Sequence, residues 1–234
     1  MNNLNELIFE NYIENKKIII VGPAKYLIGK KMGKFIDNFD IVIRIKKGFP
    51  IKEELKEDLG EKTDILLSSL KTSRVKDINR KYYYQNNFKK EDIEKMNKLL
   101  NFILFPYPTI ISPFDKFYSQ FKLLNNVNTI LITGNNKYDN YLKFIKELDT
   151  TPTIFLVSLW YLLFFKFKEL YIIGITFQED GYYNEYKSYD MFKSSQKRTI
   201  NGKIKVHDMN KEKQYLKKII NKDNRIIFDN YILI

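Results

Sequence analysis

Lys17–Gly22, KIIIVG, is the stretch that decides the fold. Four apolar residues run without alternation and end on a glycine, the pattern of a strand covered on both faces rather than on one. Asp40–Arg44 (DIVIR), Asp64–Ser68 (DILLS), Phe102–Phe105 (FILF, closed by Pro106 and Pro108), Glu169–Gly174 (ELYIIG) and Arg225–Phe228 repeat the theme. The intervals carry helical signals: a loop and helix within Tyr26–Ile36, a helical turn within Phe49–Lys62, and loop then helix across Lys71–Asn101. Further helices are predicted at Pro113–Leu124, Lys137–Leu148, Thr151–Phe167 and Met209–Ile220. The Thr151 helix has a capping hydroxyl at its start and Pro152 in the first turn, where a missing N–H costs nothing. Strands alternating with helices predict an α/β fold: a mostly parallel sheet with helices on both faces, Rossmann-like. The 234 residues suit a single domain, residues 1–234.

Composition narrows the chemistry. With no cysteine, thiolate zinc sites, a Cys nucleophile and a disulfide scaffold are excluded together. The first 17 residues hold Glu and Asn where a signal peptide needs an apolar core, and the longest apolar run, Ile154–Phe165, is too short to cross a bilayer. A cytoplasmic protein is expected. The net charge of +12 makes anionic partners natural, including an acidic membrane surface touched peripherally. Nucleic acid is not expected, because the basic residues are dispersed and no nucleic-acid motif accompanies them.

Ligands of such sheets lie beyond the C-terminal ends of the strands, at a switch in strand order. Three places qualify. Gly22 ends the first strand and could let backbone approach a ligand, although neither a Gly-x-Gly-x-x-Gly fingerprint nor a phosphate-loop ending is present. The helix start at Thr151 and Thr153 offers amides and hydroxyls to an anion. His207, the only histidine, is the one side chain that ordinarily exchanges protons near neutral pH, and Glu212 follows it into a helix. No Asp-x-Asp occurs and a lone histidine makes no transition-metal site, so neither a metal nor any other cofactor is expected.

In that order, the segments resemble glycosyltransferase family 29, the sialyltransferases. Val21–Leu70 (VGPAKYLIGKKMGKFIDNFDIVIRIKKGFPIKEELKEDLGEKTDILLSSL) is similar to the large sialylmotif. It matches through Val21-Gly22, Gly33, Ile36-Asp37 with Asp40, Val42 with Arg44, and Gly60 with Thr63. Thr151–Phe177 (TPTIFLVSLWYLLFFKFKELYIIGITF) resembles the small sialylmotif, and His207 with Glu212 matches the last motif, His, four residues, Glu.

The resemblance implies a variant of the GT-A-type sialyltransferase fold and an inverting, metal-independent transferase. Its donor would be CMP-sialic acid, or a Kdo-like acidic sugar on CMP, and its acceptor a glycan or glycolipid hydroxyl. It casts His207 as general base and Glu212 as its support. Gly22, Pro23, Arg44, Lys46, Thr151, Thr153, Gly174, Tyr182 and Tyr183 become the donor-binding set. Three departures stand out. Lys46 replaces the motif's asparagine, and Pro23 the asparagine after the glycine. The third motif's histidine is gone from Gly181-Tyr182-Tyr183, leaving phosphate to tyrosine hydroxyls or Lys187. The missing paired cysteines and N-terminal anchor suggest a bacterial-type or viral member. The competing expectation is a basic binding protein with impaired catalysis, recognising anionic glycans or nucleic acid by charge.

Overall fold

The computed structural model describes residues 4–68, 72–76, 82–86, 90–106, 126–133, 137–177, 179–184, 186 and 207–229. Strands β1 (Lys17–Val21), β2 (Ile41–Ile45), β3 (Ile65–Leu67), β6 (Phe102–Phe105), β7 (Asn128–Leu131), β8 (Glu169–Ile173) and β9 (Ile226–Phe228) form one sheet. Its order is β7-β6-β3-β2-β1-β8-β9, and every neighbouring pair is parallel. The chain builds outward from β1 to β7, then returns to place β8 on the other side of β1. The switch in strand order therefore falls between β1 and β8. Between β3 and β6, strands β4 (Thr72–Lys76) and β5 (Tyr82–Asn86) make a separate antiparallel pair.

Helices cover both faces, as the continuous apolar strands require. Ile18, Ile20, Ile41, Ile43, Leu104, Leu170 and Ile172 face a core built with α1 (Leu4–Ile13), α5 (Tyr138–Leu148), α6 (Ile154–Leu162) and α7 (Met209–Lys222). The alternate residues Ile19, Val21, Val42 and Ile173 face α2 (Gly33–Asp37) and α3 (Lys56–Leu59). Toward β6, Leu66, Ile103 and Phe105 pack on Met96 and Leu100 in and just beyond α4 (Lys90–Leu99).

All six predicted strands are present. Three elements differ from the sequence expectation. Helix α1 buries Phe9 and Ile13 but leaves Leu4, Leu7 and Ile8 exposed, so its apolar residues go all round and show no stripe. Strand β7 is four residues long with a mixed pattern, too short to stand out. The β4–β5 pair lies where loop and then helix were expected; its two segments are polar and tyrosine-rich, and their pairing is carried by backbone partners rather than an apolar pattern. The helix expected at 113–124 lies outside the described residues.

Gly22 departs from its expected role. A Cβ there would fall 2.2 Å from the Gly174 carbonyl oxygen, and one on Gly174 would fall 2.6 Å from the Gly22 oxygen. What approaches Gly22 is the backbone of its neighbour strand: Gly22 N–H donates to Ile173 O at 2.8 Å, and Ala24 N–H to Gly174 O at 3.1 Å. Gly174 also sits at φ +75°, where a side chain is strained.

Gly22→Ala is expected to lower unfolding free energy by about 3 kcal/mol through overpacking at the switch point. Gly29→Ala, at φ +82° with nothing within 4 Å of a new Cβ, should cost only the backbone strain, about 1 kcal/mol. Urea unfolding of both variants checks this; equal losses would contradict the packing explanation.

Candidate active site

Helix α6 leads into β8 and α7 into β9, so both begin at the edge of the sheet where β1, β2 and β8 end. His207 lies there, immediately before α7. Its Nδ1 is 2.8 Å from the Thr151 carbonyl oxygen. A carbonyl only accepts, so Nδ1 carries the proton and Nε2 is left with its lone pair. Burial lowers the imidazole's basicity first; the Thr151 hydrogen bond raises it, and the charge of Lys46, at the end of β2, lowers it further. The neutral ring with Nε2 as acceptor is the form a general base needs.

Glu212 explains why Thr151 is where it is. Its carboxylate is fully buried, 0% exposed, and accepts the Thr153 N–H on Oε1 at 2.8 Å and the Thr153 hydroxyl on Oε2 at 2.6 Å. Burial pushes its carboxyl up to about 7, against the pull of those two bonds. Thr153, not Thr151, is the N-cap of α6: it is extended (φ −66°, ψ 162°) and its Oγ1 accepts from Leu156 N–H at 3.3 Å. Proline at 152 disfavours helical backbone at Thr151, which moves the start two residues on. Asp208 caps α7 by accepting from Asn210 and Lys211 N–H at 3.1 and 3.3 Å. Lys211 Nζ reaches back to the Asp149 carbonyl at 3.0 Å and to the Asp149 carboxylate. The two helix starts are thus joined at three points.

The remaining expected residues divide into groups. Gly22, Pro23, Gly174, Tyr182 and Tyr183 come together at the β1–β8 edge: Tyr182 bridges to Ala24, Tyr183 N–H donates to Pro23 O at 3.2 Å, and Lys25 N–H to Gly181 O at 3.2 Å. Tyr183 is 5% exposed and packs on Tyr186 beneath this strap. Its ring also lines a small recess with Lys47, Pro50, Ile51, Lys52 and Leu55. Arg44, expected at the donor, is instead 1% exposed and turned to its own chain. Nε donates to Lys62 O at 3.1 Å and Thr63 Oγ1 at 3.0 Å, and an Nη to Leu59 O at 2.7 Å. Burial pulls it down to about 10, still protonated at neutral pH. The donors of Thr153 expected for phosphate are likewise taken, by Glu212. Lys187 lies outside the described residues.

Sequence reading missed Tyr26 and Asp229. The Tyr26 hydroxyl donates to the Asp229 carboxylate and accepts the Gly174 N–H at 2.9 Å, while Tyr26 N–H donates to Asp180 at 2.7 Å. Burial and Asp229 raise this hydroxyl far above its ordinary value. The one available signal was position: Tyr26 follows the first strand and Asp229 follows the last, both at the ligand edge. Among the described residues no group of three or more His, Cys, Asp or Glu could hold a metal ion.

Residues 9–107 match the model of glycosyltransferase family 29 (sialyltransferase). The structure is similar to that of a mammalian sialyltransferase, with TM-score 0.52 and 15% identity over 97% of this chain and 79% of that one. A mammalian sialyltransferase in complex with Gal-beta-1-3GalNAc-ortho-nitrophenol gives 0.51 and 14% over the same shares. The sialyltransferase CstII from Campylobacter jejuni, in complex with the substrate analogue CMP-3FNeuAc, gives 0.50 and 17% over 91% and 78%. No curated protein matches the sequence. The family match covers the first motif, and the structural likeness covers the fold.

Proposed function

We propose that this protein transfers a sialic acid, or a Kdo-like acidic sugar, from its CMP conjugate to a hydroxyl of a glycan or glycolipid, with inversion and without a metal ion. The observation that carries the reading is the His207 Nδ1–H bond to Thr151 O, which leaves Nε2 free of a proton. The acceptor O–H gives its proton to Nε2 as its oxygen attacks the anomeric carbon. The bond from that carbon to the phosphate oxygen breaks with its electron pair, and CMP leaves from the opposite face. Glu212 is a positioning residue, acting through Thr153 on the carbonyl that holds the imidazole. CMP-3FNeuAc and Gal-beta-1-3GalNAc in the similar sialyltransferases support a CMP-sugar donor and a glycan acceptor.

Incubation with CMP-Neu5Ac or CMP-Kdo, a glycan acceptor panel and EDTA should release CMP. His207→Ala should reduce that release by about a hundredfold to ten-thousandfold. Undiminished release by the variant would refute the base, and donor binding without release would favour a binding protein.

Glu212 makes a separate, pH-dependent contribution. Its carboxyl is raised in the folded state, from 4.5 to about 7. Between those values the unfolded chain has lost the proton that the folded chain keeps, so stability falls as pH rises through the window. The loss is on the order of 3 kcal/mol. Glu212→Gln keeps both Thr153 contacts, its amide N–H donating to Oγ1, and carries no charge. Relative to wild type, the variant should gain about 2–3 kcal/mol between pH 5 and pH 8 in urea unfolding. Parallel profiles would show that Glu212 is ionised throughout.

A further inference from the structure

The tautomer of His207 is set by one carbonyl, so whatever fixes the Thr151 oxygen also fixes which ring nitrogen is bare. On one side of Thr151, Glu212 holds the segment through Thr153. On the other side the chain leaves α5 at Asp149, whose backbone is left-handed at φ +52° and whose N–H donates to Ile145 O at 2.8 Å. Aspartate tolerates that conformation. The Asp149 carbonyl belongs to a helix end, where carbonyls lack an N–H partner in their own helix and the dipole favours a cation. Lys211 Nζ donates to it at 3.0 Å and also meets the Asp149 carboxylate, which it holds below the usual carboxylate range. A lysine of α7 thus caps α5.

Lys211 and Glu212 are consecutive in the first turn of α7, about 100° apart around its axis, so they reach the segment from different directions. Thr151 lies midway between the residues they hold, Asp149 and Thr153. A single contact would leave the first turn of α7 free to pivot about it; two contacts, one on either side of Thr151, remove that motion. His207, next to the cap of that turn, then meets the Thr151 oxygen at 2.8 Å. The rest of α7 is secured independently. The rings of Phe144 and Tyr215 lie 5.3 Å apart, Leu216 and Ile219 are buried, and Lys218 pairs with Glu147 at 3.7 Å. The Lys211–Asp149 pair is itself largely exposed, and an exposed pair adds little to global stability, so its loss frees the first turn without undocking the helix.

We propose that Lys211, clamped on Asp149, is a positioning residue for His207: it holds the Thr151 carbonyl against Nδ1–H and so keeps the proton off Nε2. Its value to the reaction rests on the reading of His207 as the base.

Because the chain has a single histidine, nitrogen-15 NMR of the imidazole reports one residue. At a pH where the ring is neutral, the two nitrogens differ in shift according to which carries the proton. Wild type should show the Nδ1–H form. Lys211→Met should turn the ring into a mixture of tautomers and lower kcat for CMP release about tenfold, with the donor KM unchanged. Lys211→Arg, whose guanidinium has donors for both Asp149 oxygens, should restore tautomer and kcat. Asp149→Gly suits the left-handed backbone and keeps the carbonyl; it should move the ring the same way by less, and it decides the matter if methionine disturbs folding. Lys218→Met breaks the other pair between α5 and α7 and should leave the tautomer unchanged. A wild-type tautomer in Lys211→Met would overturn the proposal, as would an equal shift in Lys218→Met. A shifted tautomer with undiminished CMP release would leave the clamp standing and refute His207 as the base.

Discussion

The bond pair between Glu212 and Thr153 is the constraint on which the site depends. A fully buried carboxylate must find donors within the protein, and a helix start has unpaired donors to give. The spacing of the last motif follows from this. With Asp208 as N-cap, Glu212 lies one turn into α7, and its N–H donates to Asp208 O at 3.0 Å. His207 stands just outside the cap. One turn of helix thus presents a carboxylate and an imidazole to the same three-residue segment, Thr151–Thr153. Glu212 fixes the start of α6, the start of α6 fixes the Thr151 carbonyl, and the carbonyl fixes which nitrogen of His207 is bare.

The first motif works differently, because its polar residues hold one another. Asp37 accepts from Glu61 and Lys62 N–H, both at 3.0 Å. Arg44 reaches Thr63 and two carbonyls of the same corner. Asp64 accepts from Val42 N–H at 2.8 Å, and Asp40 from Lys17 N–H at 2.8 Å. Gly33 admits α3, since a Cβ there would lie 2.2 Å from the Lys56 carbonyl oxygen. These bonds seat α2 and the α3–β3 corner on β1 and β2. A match across this segment therefore reports the frame of the site more than its chemistry.

That difference explains what the sequence made legible. Buried parallel strands show as unbroken apolar runs, and six of them could be read directly; β7 and the β4–β5 pair, short or polar, could not. His207, Glu212 and the Thr151–Thr153 segment were singled out as the only histidine, the residue spaced from it as in a family motif, and a helix start, and the structure brings them together. Their mutual bonds were hidden, since Glu212 and Thr153 are 59 residues apart. Arg44 was misread for a related reason: a lone cation in a motif resembles a ligand contact until its acceptors, 15 to 19 residues on, are seen. Tyr26 and Asp229 join through contacts 203 residues apart and carry no local pattern at all.

Two kinds of support meet at the edge of the sheet. At the switch point, Gly22 and Gly174 bring β1 and β8 together without side chains, and the Tyr26 hydroxyl ties Gly174 to Asp229 beyond β9. This half is closed backbone. The other half, from the ends of α6 and α7, presents the imidazole. An incoming anion finds the Gly22 turn filled by Gly174 and the Thr153 donors filled by Glu212, both of which a fold-level reading gives to phosphate. An anion at this edge would therefore have to be met by side chains, and Lys46, which follows β2 with its backbone at φ +48°, stands there.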